Sequence, residues 1–131
     1  MESKLSSKVT SGIRVNVRSA YIRDESSPKH HYYVFAYQVE IINESTQAVQ
    51  LKSREWHITD GVGVKRTVKG EGVVGKQPHI APGEIHRYVS GCHFQTSVGK
   101  MEGHYNMLRP DGSNLKVQIP PFTMIVPHLN N

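Results

Sequence analysis

Hydrophobic and polar residues alternate along most of this chain. In residues 12–22, Ile13, Val15 and Val17 share one face, and polar residues occupy the other. In residues 32–42, the alternate positions 33, 35, 37, 39 and 41 are all aliphatic or aromatic, and the opposite face also begins apolar. A period of two is typical of strands that bury one face, and two apolar faces are typical of a central strand. The pattern therefore predicts two strands, the second of them central.

Further short strands are predicted between turn signals. Trp56 and Ile58 share a face in residues 49–59, and the turn pair Asp60-Gly61 ends that segment. In residues 84–91 the positions 85, 87 and 89 lie opposite 86 and 88. The remaining predicted strands are 64–68, 103–108 and 115–119.

Prolines and glycines predict where these strands end. Pro78 and Pro82 cannot donate a ladder hydrogen bond, so residues 76–84 are predicted to be an edge or a loop. Residues 109–114, RPDGSN, have the order of a tight turn. Pro120-Pro121 is predicted to end the last regular strand and to leave residues 122–131 as a tail.

The fold class follows from the number and spacing of these segments. The pattern contains seven or eight short strands with turns every 8–12 residues and no helical periodicity. It predicts an all-β, antiparallel β-sandwich like that of immunoglobulin or fibronectin type III domains. Trp56 lies in the third predicted strand, where such a sandwich has its central tryptophan. Tyr105 lies near the start of the penultimate one, in the position of a tyrosine corner. Both are predicted to be core residues.

The composition predicts one domain. The chain has 131 residues, of which 37% are hydrophobic and 21% charged, as in a globular protein. We predict a single domain over 1–131, with a core of about 13–127 and a flexible N-terminal tail. Cys92 is the only cysteine, and neither an export signal nor a membrane-spanning run is recognisable. A cytoplasmic location is therefore predicted, since a reducing compartment suits a chain without disulfides.

The net charge of +5 is compatible with binding of anionic partners, but a basic surface in contact with solvent explains it equally well. The basic residues are scattered and form no run of five or six, which argues against nucleic-acid binding.

Three glycines form the spacing G-x-G-x-x-G in residues 68–78. A dinucleotide site would need a strand before this loop and a long helix after it. The prolines that follow the loop argue against such a helix, and no βαβ unit is predicted around it. Two interpretations remain. In the first, the backbone N–H groups form a concavity that binds an anion, and Arg66 adds a charged contact to that anion. In the second, the glycines only supply positive φ angles and close chain crossings. The candidate anion-binding residues are Lys69, Gly70, Gly72, Val73, Val74, Gly75 and Lys76.

Other chemistry is not predicted. The histidines lie on separate segments without metal-ligand spacing, so no metal site or cofactor is predicted. Cys92 and His93 are adjacent, but no orienting acid or oxyanion donor accompanies them. The carboxylates lie mostly at turns. We therefore predict no catalytic residues and no enzyme.

Several ordered motifs resemble those of the ApaG family from about residue 13 to residue 127. They are Arg54-x-Trp56-x-Ile58-Thr59-Asp60, Gly70-x-Gly72-Val73-Val74-Gly75-x-Gln77-Pro78, Pro82-Gly83-Glu84, Gly99-x-Met101-x-Gly103-x-Tyr105 and Ile119-Pro120-x-Phe122. The resemblance implies a fibronectin type III-like sandwich and small bacterial proteins connected with cobalt resistance and magnesium efflux. It also implies a protein-binding role, as in some F-box proteins and a polymerase-interacting protein, and a proposed nucleotide or pyrophosphate site at the glycine motif.

The sequence therefore predicts two alternative functions. The first is a non-enzymatic module that binds an unidentified protein partner. The alternative is binding of a nucleotide, pyrophosphate or another small anion through residues 69–76.

Overall fold

The computed structural model describes residues 4–127 and consists of two antiparallel sheets packed face to face. The predicted all-β sandwich is confirmed, and residues 4–127 contain no α-helix. Nine strands occur in the order β1 Ser6–Thr10, β2 Ile13–Tyr21, β3 Tyr33–Asn43, β4 Val49–Asp60, β5 Lys65–Glu71, β6 His79–Ile80, β7 Ile85–Phe94, β8 Val98–Leu108 and β9 Asn114–Ile125. Two short 3-10 helices, Arg23–Glu25 and Pro28–His30, connect β2 to β3. Within the described range no helix is long and apolar enough to cross a membrane.

The strand order determines which edges face each other. The first sheet has the order β1-β2-β3-β7, and the second has the order β5-β4-β8-β9, with the short β6 also paired to β4. Strands β1 and β9 therefore lie along one side of the sandwich, and β5 and β7 along the other. Residues 76–84 contain only the two-residue β6, which confirms the predicted edge or loop.

The core is built from the faces that the alternation predicts. Ile13, Val15 and Val17 of β2 are buried, as are the odd-numbered residues of β3. Trp56 and Tyr105 are buried core residues, as predicted. The ring of Trp56 lies 5.4 Å from that of Tyr37 and 6.0 Å from that of Phe122, measured between centroids.

Two β-bulges explain where simple alternation fails. Between Leu51 and Ser53 the register of β4 shifts against β8, so Leu51 and Trp56 both face the core although their numbers differ in parity. A second shift lies between the pairs Met101↔Phe122 and Gly103↔Ile119.

Three predictions about the chain are wrong. Residues 6–10, predicted to belong to a flexible tail, form β1. The last strand does not end at Pro120-Pro121, because the bulge accommodates both prolines and β9 continues to Ile125; residues 128–131 of the predicted tail lie outside the described residues. Tyr105 is not a tyrosine corner, since it lies late in β8 and its hydroxyl hydrogen-bonds to the Tyr88 hydroxyl.

Candidate functional site

The glycine segment forms the end of β5 and a tight hairpin turn. Val73 and Lys76 exchange two backbone hydrogen bonds of 2.8 and 3.0 Å. The two residues between them, Val74 and Gly75, have φ angles of 47° and 76°, the pattern of a type I′ turn. The chain then continues to β6 without a helix. The segment is therefore a bend between strands and not the start of a dinucleotide-binding helix.

The three glycines are needed for different reasons. Gly72 has a φ of 61°, and a Cβ atom there would lie 2.1 Å from the Lys76 carbonyl oxygen. Gly75 also has a positive φ but faces open space. Gly70 has ordinary strand geometry, but a Cβ atom would lie 2.8 Å from both Nη atoms of Arg54. Positive φ angles thus account for Gly72 and Gly75, and a close chain crossing also for Gly72, as the structural interpretation predicts, whereas at Gly70 a Cβ atom would meet only the end of a flexible side chain.

Most backbone N–H groups of the turn already have partners. The Gly72 N–H donates to the Lys52 carbonyl at 2.9 Å, and those of Val73 and Lys76 form the turn itself. Among residues 72–76, this leaves the N–H groups of Val74 and Gly75 without a backbone partner within the described part of the chain. The side chain of Lys69 lies 3.6 Å from Glu55, and Lys76 is exposed. The predicted anion site at residues 69–76 stays a prediction, with two adjacent N–H groups to serve it.

Arg54 is a charged residue beside this turn, and it is not among the candidate site residues predicted from the sequence. It shares the inner face of β4 with Trp56 and Ile58, so its side chain points between the sheets. Its Nη1 donates to the carbonyls of Glu71 and Gly72 at 3.0 and 2.7 Å. No hydrogen bond within residues 4–127 uses its Nε or Nη2. A charged residue in phase with two core residues was the signal that could have identified it.

A cavity of about 300 Å³ opens beside this guanidinium, between β7 and the glycine turn. Its walls include Tyr37, Arg54, Trp56, Tyr88 and Ser90, together with residues 73–75. Burial raises the pKa of both Tyr37 and Tyr88, so both phenols keep their protons at neutral pH. The cavity therefore combines one cation and the neighbouring Glu71 with hydroxyl groups and aromatic walls.

Strand β7 turns its polar face toward this cavity. Tyr88 and Ser90 are half-buried on its inner face, whereas Ile85 and Val89 point to solvent with 42% and 60% of their surface exposed. The open side between β5 and β7 is bridged by Arg66, whose Nη2 donates to the His93 carbonyl at 2.8 Å. The edge of β7 is otherwise not covered by another strand of the described chain.

The other candidate groups are not brought together. Cys92 points inward and His93 outward, so the adjacent thiol and imidazole lie on opposite faces of β7. Burial raises the pKa of the Cys92 thiol to about 12, which makes it unreactive at neutral pH. Over residues 4–127, no three His, Cys, Asp or Glu side chains are grouped closely enough to hold a metal ion.

The fold and the site together define a β-sandwich domain with a small polar cavity at one open edge. The family model of the ApaG domain matches residues 23–109, and the chain belongs to this family. It is 48% identical over 120 residues to Protein ApaG of Methylobacterium sp. (strain 4-46), covering 92% of each chain. It is also 48% identical over 117 residues to Protein ApaG of Erwinia tasmaniensis, covering 89% of this chain and 94% of the relative.

Solved structures agree with this assignment. A crystal structure of a Bordetella pertussis protein has a TM-score of 0.86 and 41% identity, covering 88% of this chain and 94% of that one. The C-terminal domain of wzt has a TM-score of 0.55 with 7% identity, covering 94% of this chain and 78% of that one. The second likeness shows the sandwich fold alone.

Proposed function

We propose that this chain is a protein-binding domain, not an enzyme, and that it binds an extended segment of its partner along the open edge of β7. Addition of a strand to an exposed sheet edge is a common mode of peptide recognition, in which main-chain hydrogen bonds supply affinity and side-chain pockets supply specificity. The observation that carries the proposal is an edge strand of ten residues beside a polar cavity.

The direction of the backbone groups in β7 supports this proposal. The Glu84 carbonyl, just before β7, accepts the Asn43 N–H of β3 at 3.0 Å, whereas the His93 carbonyl accepts Arg66 from the opposite side. In an antiparallel strand the N–H and C=O of one residue point the same way, and successive residues alternate. The odd-numbered residues of β7 therefore direct their backbone groups to the open side, where a partner strand can pair with those that precede the Arg66 contact at His93.

The surrounding side chains indicate an acidic partner with apolar residues. Ile85 and Val89 are exposed on the outer face of β7. Across the open side, β5 carries three exposed basic residues, Lys65, Arg66 and Lys69. Charge complementarity of this kind favours an acidic segment and speeds its association.

A pair of matched variants tests the edge. Val89→Asp places a negative charge on β7, and Val9→Asp, also an exposed valine on an edge strand, is its control on β1. The immobilised proteins are incubated with a lysate of the organism that encodes the chain, and retained proteins are quantified by mass spectrometry. We expect at least one protein that the unchanged chain and Val9→Asp both retain to fall by about tenfold with Val89→Asp. Equal retention by all three proteins would contradict the proposal.

A second candidate function is binding of a nucleotide or pyrophosphate at residues 69–76. The two unpaired N–H groups of Val74 and Gly75 favour it, since adjacent backbone N–H groups can bind an anion. Titration with pyrophosphate should then move the amide signals of residues 70–76, with an affinity that falls as salt rises. Unmoved signals at millimolar pyrophosphate would eliminate it. The link to cobalt resistance and magnesium efflux that the resemblance implies stays a prediction.

A further inference from the structure

The cavity beside the glycine turn contains a guanidinium group whose remaining donors have no assigned role. Nη1 of Arg54 holds the turn through the carbonyls of Glu71 and Gly72, but neither Nε nor Nη2 is used within the described residues. These two hydrogen bonds hold the planar guanidinium in place against Gly70. A fixed guanidinium with two free donors loses little entropy when it binds a planar anion.

We infer that this cavity is a receptor for a carboxylate, and that its occupant is a glutamate side chain of the extended partner segment bound along β7. The inference deepens the proposed function and rests on it. Arg54 Nε and Nη2 bind the two carboxylate oxygens in the paired geometry that guanidinium and carboxylate groups favour. The hydroxyl groups of Tyr37 and Ser90, which also line the cavity, are further donors for the same group.

The charge inventory of the cavity favours a carboxylate over a phosphate or pyrophosphate. Arg54 is the only cationic residue in its lining, and Glu71 lies at the same cavity with its side chain exposed. One guanidinium balances one carboxylate, whereas a pyrophosphate would bring several negative charges toward a single cation and a neighbouring carboxylate. The apolar wall formed by Trp56 and Val73 suits the methylene groups of a glutamate stem.

The register of an added strand explains how a glutamate would reach Arg54. Residues directly opposite each other in neighbouring strands point to the same face of a sheet. Tyr88 and Ser90 face the inside of the sandwich, so a partner residue paired with either one also faces inward, toward the cavity. Packed sheets lie about 10 Å apart, and a long side chain suits that depth.

Capped single amino acids test the cavity without requiring the strand. N-acetyl-glutamate methylamide is titrated into isotope-labelled protein, and N-acetyl-glutamine methylamide serves as the uncharged probe of the same shape. We expect the glutamate probe to move the Arg54 Nε–H signal and the amide signals of Val74, Gly75 and Ser90. The glutamine probe should bind at least about tenfold more weakly, because it lacks the charge that the guanidinium binds. Equal affinity for both probes, or tighter binding of pyrophosphate at the same signals, would overturn the inference.

Two arginine variants separate the cavity from general charge effects. Arg54→Gln should weaken the glutamate probe by about tenfold or more, whereas Arg87→Gln, an exposed arginine of β7, should leave it unchanged. Because Arg54 also holds the turn, Ser90→Val is a second variant that narrows the cavity and removes a hydroxyl group. If Ser90→Val retains full affinity for the probe, the probe binds elsewhere and the inference fails.

The two proposals fail separately. Loss of partners with Val89→Asp but no binding of the glutamate probe would leave the edge as the binding surface and remove the carboxylate from the cavity. Probe binding at Arg54 together with unchanged partner retention by Val89→Asp would establish the cavity as a carboxylate site and refute the edge.

Discussion

The two long sides of the sandwich differ in how they are closed and in what they offer a ligand. On the β1 and β9 side, the Thr10 hydroxyl accepts the Gln118 N–H at 3.1 Å, and a groove of about 1120 Å³ lies toward one end, lined in part by Tyr21, Phe35 and Phe122. On the β5 and β7 side, the Arg66 side chain bridges the sheets, and the cavity beside Arg54 has about a quarter of that volume.

Volume alone is therefore a poor guide to a binding site. The large groove is lined by aromatic and proline residues and also by polar ones, among them Lys4, Ser19 and Arg23. The small cavity is lined by a hydrogen-bonded guanidinium and by three residues with hydroxyl groups, Tyr37, Tyr88 and Ser90, and a few polar groups among apolar walls are the usual composition of a specific binding site.

The largest expected effect concerns the glycine turn on the β5 and β7 side. Gly72→Ala should lower the free energy of unfolding by about 3 kcal/mol, because a positive φ angle is combined with a Cβ atom 2.1 Å from the Lys76 carbonyl. Gly75→Ala, with a positive φ angle but open space, should cost only about 1 kcal/mol. Urea unfolding of both variants measures the difference. Equal losses would mean that backbone conformation alone, and not the close crossing, requires glycine at position 72.

A smaller effect compares the links that close the two sides. Thr10→Val removes the acceptor of the Gln118 N–H with little change in shape and should cost about 1 kcal/mol. Arg66→Met removes the exposed hydrogen bond to His93 but keeps an apolar stem, and should cost about 0.5 kcal/mol or less. Thermal or urea unfolding gives both values. A larger loss for Arg66→Met would show that the β5 and β7 side is held more firmly than the geometry indicates.

The last effect is absent at neutral pH and appears only in alkali. Burial raises the pKa of Cys92 from 9.0 to about 12 in the folded chain. Between these values the unfolded chain loses the thiol proton and the folded chain keeps it, so the free energy of unfolding falls as pH rises above about 9. Cys92→Ala should show a shallower fall over this range in urea unfolding at successive pH values. Parallel curves for the two proteins would show that solvent reaches the thiol from the open side.

Much of the fold was predictable because alternation reports burial directly. Ile13, Val15 and Val17 are buried, as are the five predicted positions of β3, because a half-buried strand must place its apolar side chains on one face. The strand through Pro120-Pro121 was not predictable in the same way. A proline ends a strand unless a bulge removes the need for its N–H, and the bulge exists only when β8 lies alongside.

The candidate site was only half predictable. The glycine spacing indicated a loop with special backbone geometry, and the turn at Val74 and Gly75 has it. Arg54 lies 16 positions before Gly70 and faces it only because β4 and β5 pair in that register. Tyr88 and Ser90 belong to the other sheet, so no local pattern connects them to Arg54.

Residue alternation and turn residues predicted the strand period, most turns and most buried faces, because these depend on neighbours one to four residues away along the chain. Strand pairing and sheet packing make β7 an open edge, direct its polar face inward, and place a guanidinium from one sheet and hydroxyl groups from the other in one cavity. The physical reason is that packing brings together side chains that are far apart in sequence, and a binding cavity between two sheets consists of such contacts.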